Sequence, residues 1–132
     1  MSPSLIVAIA SMVMSPAPSQ ESGEVRDRLA PVYFDCWHAA DGDRAARLIC
    51  IDTELARQDL ILNDLYREQQ AHRSPVGQRR LRDAQRAWIV ARDARCRSAA
   101  VDADQRGQDR AVQRATCLLS ETTERVIWLE AL

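Results

Sequence analysis

Apolar positions recur along most of this chain at three- and four-residue intervals, the period of helices with one buried face. Leu55, Leu62 and Tyr66 form one stripe, widened by Ile61 and Leu65. Leu81, Ala84, Trp88, Ala91 and Cys96 form a second, and Val112, Leu119, Val126 and Leu129 a third. Punctuation between the stripes sets the element boundaries. Ser74 is a cap and Pro75 a first helical residue that needs no N–H, so a helix is predicted over residues 76–101. The segment from Asp102 to Gly107 breaks it, and a last helix begins near Asp109. Asp52 reads as the N-cap of a helix that ends near Ala71. A turn at residues 39–43 and a short amphipathic helix from Arg44 to Cys50 come before it, and Tyr33, Phe34 and Trp37 anchor the chain around Cys36. The pattern predicts an all-α domain, a small bundle of one short and three longer helices.

The N-terminus follows another pattern. Residues 5–14 (LIVAIASMVM) are uncharged, long enough for a signal-peptide core and too short to span a bilayer as a helix. Ala17-Pro18-Ser19 supplies a small-residue cleavage site, although Met1 to Ser4 carries no Lys or Arg. Residues 1–19 are therefore read as a signal peptide, 20–33 as a leader and 34–132 as the helical domain. Export to the periplasm or the exterior places Cys36, Cys50, Cys96 and Cys117 where disulfides persist. Four cysteines allow three connectivities. Gly42 and Asp43 lie midway between Cys36 and Cys50, Gly107 lies midway between Cys96 and Cys117, and Cys50 and Cys96 are also equidistant from the Ser74-Pro75 turn. Loop-closure entropy favours the two shorter rings. A zinc site is the rival reading, but structural zinc draws on cysteine pairs two to four residues apart, and His38 and His72 do not supply that spacing. No metal is expected.

Charge excludes several partners. The 132 residues carry 18 basic side chains, all Arg, against 19 acidic ones, for a net charge of −1. No global field favours nucleic acid or an anionic membrane. Catalytic motifs are missing too: neither histidine sits beside a nucleophile in a recognisable triad, and there is no glycine-rich phosphate loop. Carboxylates are expected to pair along their helices, Arg79 with Asp83, Asp93 with Arg97, Asp102 with Arg106 and Glu121 with Arg125. The chain reads as neither an enzyme nor a cofactor binder. Its densest segment runs from Arg79 to Arg97. There Gln85, Trp88 and Arg92 share one side of the helix, Arg86 and Asp93 share another, and Arg82 lies just upstream. Arg and Trp dominate binding hot spots, so this is a candidate binding face. The structural alternative makes Trp88 a core residue and pairs Arg92 or Arg86 with Asp59 on the preceding helix, and it carries more weight.

Three stretches resemble the lysozyme-inhibitor LprI-like family of small exported bacterial proteins. They are Phe34-Asp35-Cys36 with Cys50; Cys50-x-Asp52-x-Glu54-Leu55 with Asp59, Leu62 and Tyr66; and Leu81-Arg82-x-Ala84-Gln85-Arg86-Ala87-Trp88-Ile89 with Arg92-Asp93-Ala94 and Cys96. Cys117-Leu118 and Thr123-x-Arg125 complete the likeness. Two departures stand out: Thr53 replaces the usual Pro after Asp52, and there is no lipidation cysteine. The resemblance implies a helical domain with Cys36–Cys50 and Cys96–Cys117 bonds, and a protein partner, lysozyme or another peptidoglycan hydrolase, blocked by steric occlusion at the cell envelope. A tight inhibitor of a strongly basic lysozyme gains from an acidic face, which Asp41, Asp43 and Asp52 could supply, although solvated turn carboxylates are the commoner reading and an exposed Arg79–Arg97 helix would repel such a partner. The alternative is a non-inhibitory envelope module that binds glycan or a periplasmic protein.

Overall fold

Three long helices take up the three apolar stripes. In the computed structural model, which describes residues 18–132, they are α3 (Arg44–Ala71), α4 (Pro75–Gln105) and α5 (Arg110–Glu130), preceded by α1 (Pro18–Arg28) and α2 (Pro31–Ala40). The expected signal peptide lies almost wholly outside the described residues, and α1 and the start of α2 occupy the stretch read as a leader. The all-α, disulfide-stapled bundle is as expected.

Local chemistry explains most boundaries. Asp41 (φ 45°) and Gly42 (φ 82°) turn the chain in the left-handed region after α2. Asp43 then caps α3, its side chain accepting from Ala46 N–H at 2.8 Å. The break expected at Asp52 does not occur: no Gly or Pro interrupts residues 44–71, so the short helix and the longer one are continuous. Ser74 accepts from Gly77 N–H at 3.2 Å with Pro75 next in line, as predicted, and Asp109, near which the last helix was expected to begin, caps it by accepting from Val112 N–H at 2.9 Å. Helix α4 runs past the expected end at Val101 to Gln105. It stops at Gly107 (φ 71°), where Gln108 N–H reaches back to Ala103 O at 2.8 Å and satisfies one of the orphan carbonyls.

Helix α5 is the inner element. It packs along both α3 and α4, which barely touch each other, while α2 lies chiefly on α3. Val112, Ala115 and Leu119 join Ile51 in one apolar cluster, and Val126 and Leu129 join Leu62 and Leu81 in another. Each fully buried Leu or Val contributes about 1.5–3 kcal/mol, so α5 alone secures both ends of the core. A polar belt separates the clusters: Glu54, Gln58, Thr122 and Thr123 are buried at that level. Thr123 satisfies itself by donating to Leu119 O at 2.8 Å. On α4 the buried stripe differs from the expected one, since Ala84 is exposed and Gln85 turns inward.

Two disulfides and several side-chain bonds lock the helices together. Cys36–Cys50 joins α2 to α3 with Cα atoms 5.7 Å apart, and Cys96–Cys117 joins α4 to α5 at 5.4 Å. At the α3–α4 turn, the Gln70 and Gln78 side chains each donate to the other's carbonyl at 3.1 Å. Glu54 accepts from Ala30 N–H at 3.1 Å, while Arg57 and Gln58 donate to Arg28 O at 2.9 and 3.1 Å. These bonds fasten the α1–α2 junction onto α3.

Candidate functional site

The densest cluster of candidate residues lies where α3 and α4 diverge from their shared turn. The gap between them forms an open groove of about 600 Å³, with Asp59, Leu62, Asn63 and Tyr66 on one wall and Arg82, Gln85, Arg86, Trp88, Ile89 and Arg92 on the other. Helical spacing builds each wall: Asp59, Asn63 and Tyr66 follow at i, i+4 and i+7, as do Arg82, Arg86 and Ile89. Five of the six α4 residues singled out from the sequence therefore line one groove. Asp93 is instead the ion-pair partner of Arg92.

Their partners differ from those expected. Arg92 pairs with the adjacent Asp93 at 3.0 Å, stacks 5.0 Å from the Trp88 ring and reaches Thr122 Oγ1 at 3.5 Å. Neither Arg92 nor Arg86 forms an ion pair with Asp59. Burial pushes the Asp59 carboxyl up from the ordinary range, and the nearby charge of Arg92 only partly offsets this. The pairs expected along the helices are also replaced. Asp83 faces Arg82 at 3.7 Å, and Arg95 of α4 reaches across to Glu121 of α5. Tertiary contact between α4 and α5 decides the Arg95–Glu121 pairing, because an exposed i,i+4 pair contributes only a few tenths of a kcal/mol.

Arg125 was missed as a site-shaping residue. Its guanidinium lies 3.7 Å from the Trp128 ring centroid and 5.4 Å from that of Trp88, and its Nε donates to Gln85 Oε1 at 2.9 Å. Burial lowers its pKa, and the two indole faces replace part of the lost hydration. The i,i+3 spacing of Arg125 and Trp128 was the available signal. Trp88 is thus half-buried, packed against the Leu62–Leu129 cluster and backed by two guanidinium groups.

The opposite end of the bundle has different chemistry. An ion pair from Arg44 to Asp109, at 2.6 Å, brings the α2–α3 and α4–α5 turns together. Asp52, Asp104, Asp109, Arg44, Arg110 and Arg114 line a second open cavity there, of about 640 Å³. The Asp109 carboxyl sits below the ordinary range, mainly because it accepts Val112 N–H and then because of Arg44. Asp41, Asp43 and Asp102 are exposed nearby, so the acidic turn expected from the sequence is enlarged by α4. The α3–α4 turn end, by contrast, exposes Arg79, Arg80, Arg82 and Arg86.

Residues 36–129 match the family described as Lysozyme inhibitor LprI. The chain belongs to this LprI family. Its matched span runs from the first bridging cysteine almost to the end of α5, and so includes both disulfides, the polar belt and the α3–α4 groove. No curated protein and no solved structure matches the chain. The family is one of inhibitors, not of enzymes. Among the described residues, no three His, Cys, Asp or Glu side chains are placed to hold a metal ion, and no helix is long and apolar enough to cross a membrane.

Proposed function

We propose that this protein works in the periplasm or outside the cell and inhibits lysozyme or another peptidoglycan-cleaving enzyme by covering its glycan cleft. The observation that carries this reading is LprI family membership across residues 36–129. The two disulfides support an oxidising compartment. They also hold the bundle in one conformation, which lowers the ordering cost of binding.

The two-turn end, where exposed Asp41, Asp43, Asp52, Asp102, Asp104 and Asp109 outnumber Arg44, Arg106, Arg110 and Arg114, is the surface that suits a basic hydrolase. Asp41, Asp102 and Asp104 are exposed there, and their attraction speeds encounter with a cationic partner. The arginine-rich α3–α4 end would slow the opposite orientation. Clearing of a cell-wall suspension by lysozyme tests the proposal. Micromolar oxidised protein is expected to slow clearing in proportion to its concentration, and unchanged rates at excess would rule out inhibition of the enzyme tried. Converting Asp41, Asp102 and Asp104 to Asn spares the capping residues Asp43 and Asp109. It is expected to cut the association rate by about tenfold at low salt, with little effect at high salt.

A further inference from the structure

The groove between α3 and α4 has no part in that docking geometry, yet its chemistry is specific. Asp59 presents a half-buried carboxylate to which no described residue donates a hydrogen bond. Facing it on α4, Arg86 has neither an ion-pair nor a hydrogen-bond partner among the described residues, and Arg82 approaches only the neighbouring Asp83, at 3.7 Å. Asn63 lies one turn from Asp59. Gln85 commits its carbonyl oxygen to Arg125, which leaves its amide hydrogens to donate. Trp88 supplies an apolar flank, held in place by Arg92 and Arg125.

A ligand for this groove must meet opposite demands on its two walls. It has to donate to Asp59 on one wall and present negative charge to Arg82 and Arg86 on the other. An apolar ligand leaves both walls unsatisfied, which costs binding energy for every polar group desolvated. A bare phosphate suits the arginines but meets the Asp59 carboxylate with like charge. A pyranose bearing a carboxylate satisfies both: its hydroxyls donate to Asp59, its acid group accepts the guanidinium forks, and its C–H face rests on an indole. We propose that the α3–α4 groove binds a carboxylate-bearing oligosaccharide, with Asp59 and Asn63 taking sugar hydroxyls and Arg82 and Arg86 taking the acid group. This second site is separate from the acidic end and lets the protein hold acidic glycan while that end engages a hydrolase.

Isothermal titration calorimetry of the oxidised full chain tests this with three probes. They are a disaccharide containing N-acetylmuramic acid, an oligogalacturonate and neutral chitotriose. Saturable binding of at least one acidic probe is expected, with chitotriose about tenfold weaker or more, since a charge-assisted hydrogen bond is worth roughly that factor. Preference between the two acidic probes separates a cell-wall source from a uronic-acid source. Arg86→Ala and Asp59→Asn are each expected to weaken the acidic probe about tenfold. Arg86→Lys should recover part of the loss, and the melting temperature of Arg86→Ala should match wild type. Arg86→Ala is also expected to inhibit the hydrolase as wild type does, so failure of the glycan site and failure of inhibition are read separately. Equal affinity for chitotriose and the acidic probes, no saturable binding of either acidic probe, or wild-type affinity in both variants would overturn the proposal. So would an Arg86→Ala variant that loses hydrolase binding while no saccharide binds, because the groove would then belong to the protein partner.

Discussion

Replacing Glu54 by Ala removes the acceptor shared by α3 and the α1–α2 junction. Glu54 is 3% exposed, and its Oε1 accepts from Ala30 N–H at 3.1 Å, Arg57 Nη2 at 2.6 Å and Gln58 Nε2 at 3.1 Å. The donors do not suffer equally. Gln58 and Arg57 keep Arg28 O, and the Arg57 side chain is 41% exposed and returns to water, so the ion pair itself counts for little. Ala30 N–H is left without its partner, at a cost of about 1–3 kcal/mol. The void left by the side chain adds about 1 kcal/mol. The sum, about 3 kcal/mol, lowers Tm by about 10 °C for a domain of this size.

Titration gives the same residue a second signature. Burial alone would push the Glu54 carboxyl up, but hydrogen bonds from Arg57, Ala30 N–H and Gln58, with the Arg57 charge, outweigh it and hold the folded pKa below the ordinary range. A depressed folded pKa contributes stability that is complete above the unfolded value, about 4.3, and is lost as pH falls through the folded value. Glu54→Gln keeps the shape and removes the charge, so its deficit against wild type should be full at neutral pH and vanish in strong acid. Circular-dichroism melts across that range measure both effects. A deficit of Glu54→Ala below about 2 °C at neutral pH, or a Glu54→Gln deficit of equal size on both sides of the carboxylate range, would refute this account of the junction.

Four further outcomes follow from the packing. Removing Cys96–Cys117, whose Cys96 is fully buried, opens a ring with a sequence separation of 21 between α4 and α5, and should lower global stability by about 3 kcal/mol in chemical denaturation. Removing Cys36–Cys50 should act locally, because α2 packs chiefly on α3, so α2 amides should lose hydrogen-exchange protection before the rest. Gly107→Ala forces a Cβ into a backbone at φ 71° and should cost about 1 kcal/mol, read as a Tm drop of about 4 °C. Leu129→Ala empties a fully buried position against Leu62, Leu81 and Val126, and should cost about 3 kcal/mol in the same denaturation assay.

Features set by neighbouring residues were legible in the sequence. Ser74-Pro75, Asp109 and the α5 stripe depend on local capping and helical period, and each appears where the pattern places it. Asp52 misled because an Asp can cap a helix or sit mid-helix, and nothing nearby stops α3. Surface ion pairs were misassigned because their intrahelical energies are too small to resist a cross-helix partner such as Arg95 for Glu121. The Glu54 hub was invisible: its backbone donor, Ala30, is 24 residues away and belongs to a segment read as a leader. In the groove, periodicity put Gln85, Trp88 and Arg92 on one side of α4. It could not show that Arg125 would arrive from α5 to fix Trp88 and turn Gln85 inward.

Displacement of a fluorescent neutral chitooligosaccharide from lysozyme tests cleft occlusion most directly. Titration with the oxidised protein is expected to release the oligosaccharide fully at a one-to-one ratio. An oligosaccharide that stays bound while excess protein is added, whether or not a complex forms, would contradict occlusion of the cleft.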